Sequence, residues 1–237
     1  MKIALICFPG TNRGNDLYRA LTYVTGCLPH KVWYTETTLP DSLDLVILPG
    51  GFAHGDRGRP GAHAAQAPIM EAIRAHEAQG RLILGICNGF QMLCEAGFLP
   101  GRLERNEEGT FISRLQWVRV ERSDSPFTRL YEEAEILVWP IAHGHGNYQC
   151  DLQTLDDLAA SGRIAFRYCT LQGDVTSESN PNGSLKNIAG LYSRSMRILG
   201  MMPHPENAVD GLLSSVDGRR LFLNIMESLV SIRDDTP

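Results

Sequence analysis

The hydrophobic positions change their period along the chain, and the change divides it in two. In the first half, short runs of consecutive apolar residues alternate with segments of helical spacing. Lys2–Phe8 reads as a strand, and Arg13–Thr25 as a helix with Leu17, Leu21 and Val24 on one face. Lys31–Tyr34 predicts a short strand, and Leu43–Leu48 a buried one running into Pro49-Gly50-Gly51. Pro68–Gln79 carries Ile69, Ala72 and Ile73 at helical spacing and stops at Gly80. The next apolar run starts at Arg81, passes through Gly85-Ile-Cys-Asn-Gly89 and continues directly into a helical pattern. Such alternation predicts an α/β fold, a mostly parallel central sheet with helices on both faces.

The second half has a different rhythm. Phe111–Glu121 and Glu135–Pro140 alternate apolar with polar residues and have no long helix between them, which predicts an added antiparallel portion. Leu152–Ser161 reads as a helix, and Ile164–Cys169 and Ile188–Tyr192 as strands. Between those strands, Asn180-Pro-Asn-Gly-Ser184 contains an Asn-Gly pair, the signature of a hairpin tip. Arg197–Met201 is a last strand, and Val216–Ile232 a closing helix with Leu221, Ile225, Leu229 and Ile232 along one side. With no internal repeat, low-complexity tract or linker, the sequence predicts a single domain over residues 1–237.

Composition narrows the class. The chain is 43% hydrophobic and 21% charged, enough apolar material for a substantial core. A net charge of -5 without a basic tract argues against nucleic acid as a partner. The apolar run at Met1–Phe8 is too short for a secretory signal, and no window approaches a membrane span, so a cytoplasmic protein with no membrane partner is expected. Six cysteines, none in CxxC spacing, then read as reduced thiols rather than a zinc site or a disulfide framework.

Against that background Cys87 stands out. A Cys between glycines, at the corner where a strand becomes a helix, has the layout of a nucleophile elbow. The helix N-terminus beneath it would favour thiolate. Taken alone, the same pattern also fits a buried cysteine at the end of a core strand. A nucleophile needs a base and a group to orient the base. His204-Pro-Glu206 offers both, because residues i and i+2 of an extended stretch project to one side and Pro205 favours extension before it. The Gly50-Gly51-Phe52 loop at a strand end can aim backbone N–H groups at a developing oxyanion, and the Asn88 amide would be a second donor. Gln91 lies one helical turn beyond Cys87 and can contact a polar substrate. His143-Gly-His145 lacks a third ligand with metal-binding spacing, so no metal site is expected; an exposed loop at a pocket or partner surface is the reading there.

In this order, Pro49-Gly-Gly51, Gly85-Ile-Cys-Asn-Gly-Phe-Gln91 and His204-Pro-Glu206 resemble the class I (triad) glutamine amidotransferases. Phe8-Pro-Gly-Thr-Asn12, Gly50-Gly-Phe52 with Gly55-Asp56, Pro140-Ile-Ala-His-Gly144, Asn180-Pro-Asn-Gly-Ser184 and Gly200-Met-Met-Pro-His-Pro-Glu206 are similar to one branch, the PurQ-type glutaminase subunits of phosphoribosylformylglycinamidine synthase. The resemblance implies a flavodoxin-like fold with catalytic Cys87, His204 and Glu206. It implies oxyanion-hole amides from Gly51 or Phe52 and from Asn88, and glutamine binding by Gly50 and Gln91. It further implies no cofactor on this chain, with ATP and Mg on a larger synthetase subunit that receives the ammonia, and a small third subunit. The sequence departs from that pattern where an acidic residue is replaced by His145 and a basic one by Asn147, and in a longer, more polar 168–179 stretch. Three alternatives stay open: an amidotransferase serving another acceptor, a cysteine hydrolase of the DJ-1/PfpI type, and a non-catalytic glutamine sensor. The second usually has a histidine directly after the nucleophile, where this chain has Asn88.

Overall fold

A computed structural model describes residues 1–56, 58–212 and 215–234, with side chains up to Val230. The chain runs β1 (Ile3–Cys7), α1 (Gly14–Thr25), β2 (His30–Trp33), β3 (Leu45–Leu48), α2 (Ile69–Ala78), β4 (Leu82–Ile86) and α3 (Asn88–Glu95). It continues through β5 (Arg102–Glu104), β6 (Ile112–Val120), β7 (Ile136–His143), β8 (Asn147–Gln149), α4 (Leu152–Ala160), β9 (Ile164–Tyr168), β10 (Ile188–Tyr192), β11 (Ile198–Met201) and α5 (Arg219–Asp234). Among the described residues, a nine-stranded sheet has the order β2-β1-β3-β4-β11-β10-β9-β6-β7. Its first five strands are parallel, and the last four add antiparallel pairings.

The apolar runs explain the parallel half. Every residue of β3 and β4 is buried, so both sheet faces are covered there. β2, at the sheet edge, buries only Val32. α3 packs over β3, β4 and β11, while α1 packs against α5. α1 buries Leu17, Ala20 and Leu21 and ends at Gly26, whose φ of 71° lets its N–H return to Thr22 O. No helix among the described residues is long and apolar enough to cross a membrane.

Several boundaries differ from the sequence reading, each for a tertiary reason. β7 runs past Pro140 to His143; a proline is tolerated because β7 is an edge strand. β5 and β8 form a small separate sheet that three-residue segments are too short to announce. The closing helix begins at Arg219 rather than Val216, because Asp217 is drawn onto β7: its carboxylate accepts the Val138 N–H at 2.8 Å. The side chain of Ile232 lies outside the described residues. Finally, Asn180–Ser184 is no hairpin tip. Gly183 does have φ 87°, but Asn182 and Ser184 are buried, and both donate to Gly146 O, at 2.9 and 3.1 Å.

Candidate active site

The sequence Gly85-Ile-Cys-Asn-Gly89 folds as a tight corner between β4 and α3. Cys87 has φ 51° and ψ -106°, a conformation costly for a residue with a Cβ, of order 1–3 kcal/mol. The flanking glycines are required by space. A Cβ on Gly89 would lie 1.9 Å from Leu48 O, and one on Gly85 2.7 Å from Gly89 O. The Cys87 N–H donates to Met201 O at 2.7 Å, which ties the corner to β11. Its carbonyl accepts from Phe90 and Gln91, and the thiol faces Ala142 O at 3.7 Å.

His204 and Glu206 reach this corner because β11 is the parallel neighbour of β4, with Met201 opposite Ile86. Strand ends in such a sheet are where ligands bind. The two residues meet through a turn at Pro205–Asn207 rather than by strand alternation. His204 Nδ1 and Glu206 Oε1 are 2.7 Å apart, and each residue is only 2% exposed. The His204 N–H donates to Pro140 O at 2.8 Å, so β7 also holds the turn. Burial alone would pull the imidazole's pKa down, but the Glu206 carboxylate and the nearby Cys87 raise it to about 10. His204 Nε2 is buried and has no hydrogen-bond partner among the described residues. Gly50 sits against the ring: a Cβ there would lie 2.8 Å from His204 Cε1.

The loop 49–56 supplies main-chain donors, but not all of them are free. Phe52 N–H donates to Gly10 O at 3.0 Å and is therefore engaged, which leaves Gly51 as the loop's oxyanion candidate. Gly51 has φ 145°, and a Cβ would collide with Gly10 O and Asn12 N. Asn88 begins α3, so its amide has no acceptor within the helix. Gln91 is buried, and its carboxamide is used inside the protein: Oε1 accepts from Asn88 Nδ2 and Nε2 donates to His145 O, both at 2.7 Å.

The His143-Gly-His145 segment is not the exposed loop expected from its glycines. His143 is 3% exposed, with Nδ1 3.1 Å from Asn106 Oδ1, an oxygen that also accepts the Gly146 N–H. Burial, with His204 nearby, lowers the pKa of His143 to about 3 and keeps the ring neutral. Asn147 Nδ2 reaches Arg105 O at 3.4 Å, and Asn147 Oδ1 accepts from Gln149. A cavity of about 440 Å³ is lined by Arg13, Ser113, Arg114, Leu115, Pro140, Ala142 and His204 among others. Ala142, Asn106 and the Asn88 side chain belong to this surrounding and were not singled out from sequence. Only the Pro140–Gly144 segment carried a signal for the first.

A model of the CobB/CobQ-like glutamine amidotransferase domain matches residues 1–222. The phosphoribosylformylglycinamidine synthase subunit PurQ of Rhodospirillum rubrum is 51% identical over 229 residues, covering 97% of this chain and all of that protein. The corresponding subunit of Bradyrhizobium diazoefficiens is 49% identical, covering 97% and 98%. Among solved structures, a chain of PurLQS from Thermotoga maritima matches with a TM-score of 0.85 at 38% identity, covering 96% of this chain and 98% of that one. The glutaminase domain of Trypanosoma brucei CTPS with bound acivicin shares the fold, at a TM-score of 0.60 and 15% identity.

Proposed function

The chain belongs to the CobB/CobQ-like glutamine amidotransferases and, within them, to the PurQ branch, and from that premise we propose that it hydrolyses glutamine to supply ammonia for phosphoribosylformylglycinamidine synthesis. Cys87 Sγ attacks the side-chain carboxamide carbon, and the Gly51 and Asn88 amides receive the oxyanion. The thiol proton passes to His204 as Sγ attacks, and His204 then gives it to the amide nitrogen as the C–N bond breaks and ammonia leaves. The γ-glutamyl thioester is then attacked by water, whose proton returns to His204, and glutamate departs. Glu206 holds the imidazole in orientation throughout.

The observation that carries this reading is the buried His204–Glu206 pair on the turn after β11, the strand beside the strained Cys87 corner. Nucleophile, acid–base group and oxyanion donors are all protein groups, so the chemistry asks for no metal or cofactor on this chain. ATP and Mg belong to the larger synthetase subunit, which uses the ammonia to convert formylglycinamide ribonucleotide to its amidine, and a small third subunit completes the complex in the cytoplasm. Residues 1–237 are read as one amidotransferase domain, supported by a single nine-stranded sheet that draws its strands from both halves of the chain. Labelling with 6-diazo-5-oxo-norleucine followed by peptide mapping tests the assignment. The adduct is expected on Cys87, and an adduct on another residue would overturn the mechanism.

A further inference from the structure

The three amides that follow Gly51 each have a fixed destination. Phe52 N–H goes to Gly10 O, Ala53 N–H to Asn88 Oδ1 at 3.0 Å, and His54 N–H to Pro9 O. Only one of these three acceptors is a side chain, and that side chain is carried on the nucleophile corner. The loop needs such a hold. His54, Gly55 and Asp56 have φ of 56°, 71° and 49°, a left-handed run in which two residues carry a Cβ.

Backbone groups at both ends of the relay determine the orientation of each carboxamide. Because the Ala53 N–H is a donor, the Asn88 atom facing it must be oxygen, so its Nδ2 donates to Gln91 Oε1 at 2.7 Å and, more weakly, to Asp56 Oδ1 at 3.4 Å. Gln91 must then present Oε1 to Asn88 and Nε2 to the His145 carbonyl. One chain of hydrogen bonds therefore runs from the oxyanion loop, through the first turn of α3, to the 143–146 loop. Asn88 is 1% exposed, and a buried carboxamide with both ends committed has a single geometry.

We propose that the Asn88 side chain is a positioning residue that sets the Gly51 amide relative to the Asn88 amide, so that one residue supplies one oxyanion donor and places the other. The proposal rests on the glutaminase reading above. It also makes Gln91 a brace between two loops, its carboxamide already satisfied inside the protein. The oxyanion forms only in the transition state, so a misplaced donor lowers kcat and leaves glutamine binding nearly unchanged.

The experiment compares Asn88→Leu and Asn88→Asp in the full chain assembled with its synthetase partner. Leu removes all three hydrogen bonds of the Asn88 side chain, to Ala53, Gln91 and Asp56, at similar volume, whereas Asp, kept protonated by burial beside the Asp56 carboxylate, retains an acceptor for the Ala53 N–H and a donor for Gln91. Expected for Asn88→Leu is a fall in kcat for glutamine hydrolysis of about 100-fold with KM changed less than about threefold. Alkylation of Cys87 by iodoacetamide needs no oxyanion hole and should stay within about twofold of wild type. Asn88→Asp should recover about tenfold of the lost kcat, a rescue that a general structural role would not produce. The proposal is overturned if hydrolysis and alkylation fall together, if kcat barely changes, or if Asp performs no better than Leu. Failure of the glutaminase reading itself would appear separately, as a wild-type complex without glutamine hydrolysis.

Discussion

The substitution Gly89→Ala tests how the nucleophile corner is built. The added Cβ would lie 1.9 Å from Leu48 O, about 1.5 Å inside the 3.4 Å at which ordinary contact begins, with Leu48 C at 2.6 Å and Leu48 Cβ at 2.9 Å. Leu48 cannot retreat, because β3 is hydrogen-bonded between β1 and β4 and is buried on both faces. The start of α3 must move instead, and it carries the Asn88 amide and Cys87 with it. Overpacking of this kind costs about 1–3 kcal/mol of stability. Displacing reacting groups by about 1 Å costs roughly 100-fold in rate, so the catalytic loss should exceed what the stability change alone predicts. The assay is glutamine hydrolysis by the assembled complex, alongside thermal unfolding and ammonia-dependent synthesis, which should persist. Gly26→Ala is the control: its φ of 71° makes alanine strained, yet nothing lies within 4 Å of the added atom. It should lose about 1 kcal/mol of stability and no activity. A Gly89→Ala enzyme with wild-type hydrolysis would refute the reasoning, because it would show that the corner can move without consequence.

Cys87→Ala should abolish glutamine-dependent synthesis while ammonia-dependent synthesis by the complex continues; loss of both would assign Cys87 a structural role. Glu206→Gln removes a group that raises the His204 pKa, so burial should dominate and the alkaline limb of the hydrolysis profile should move to lower pH. An unmoved limb would mean that Glu206 does not govern His204. Taken together, His204 and His143 favour the folded state most near pH 6.5. The contribution of His204, whose folded pKa is raised to about 10, is complete below its ordinary value and lost as pH rises toward 10. His143, lowered to about 3, contributes above its ordinary value and loses that contribution as pH falls toward 3. Each has a limiting slope of about 1.4 kcal/mol per pH unit within its window, and denaturant unfolding of wild type against His204→Gln and His143→Gln checks them separately: an alkaline slope unchanged in the first, or an acid slope unchanged in the second, would refute the corresponding assignment.

Local pattern carried much of this protein. Continuous apolar runs at 3–7, 45–48 and 82–86 announce buried parallel strands, because only strands covered on both faces can be apolar at every position. The glycines at 85 and 89 mark a close backbone approach, and His204-Pro-Glu206 offers a base beside its orienting carboxylate. What neighbours do to one another was not legible. Nothing in the glycine-rich spacing around His143 says that Asn106 will bury the ring, and nothing in Asn-Gly at 182–183 says that Asn182 will bind Gly146 O. Nor does the Gly50-Gly51-Phe52 motif say which amide is free, since that depends on Gly10 O, a group 42 residues upstream of Phe52. Hydrophobic period and steric constraint are properties of adjacent residues, so the sequence determines the elements and the chemical groups. Which polar groups are satisfied, and which are left to act, depends on strand order and long-range hydrogen bonds, and only the tertiary structure decides it.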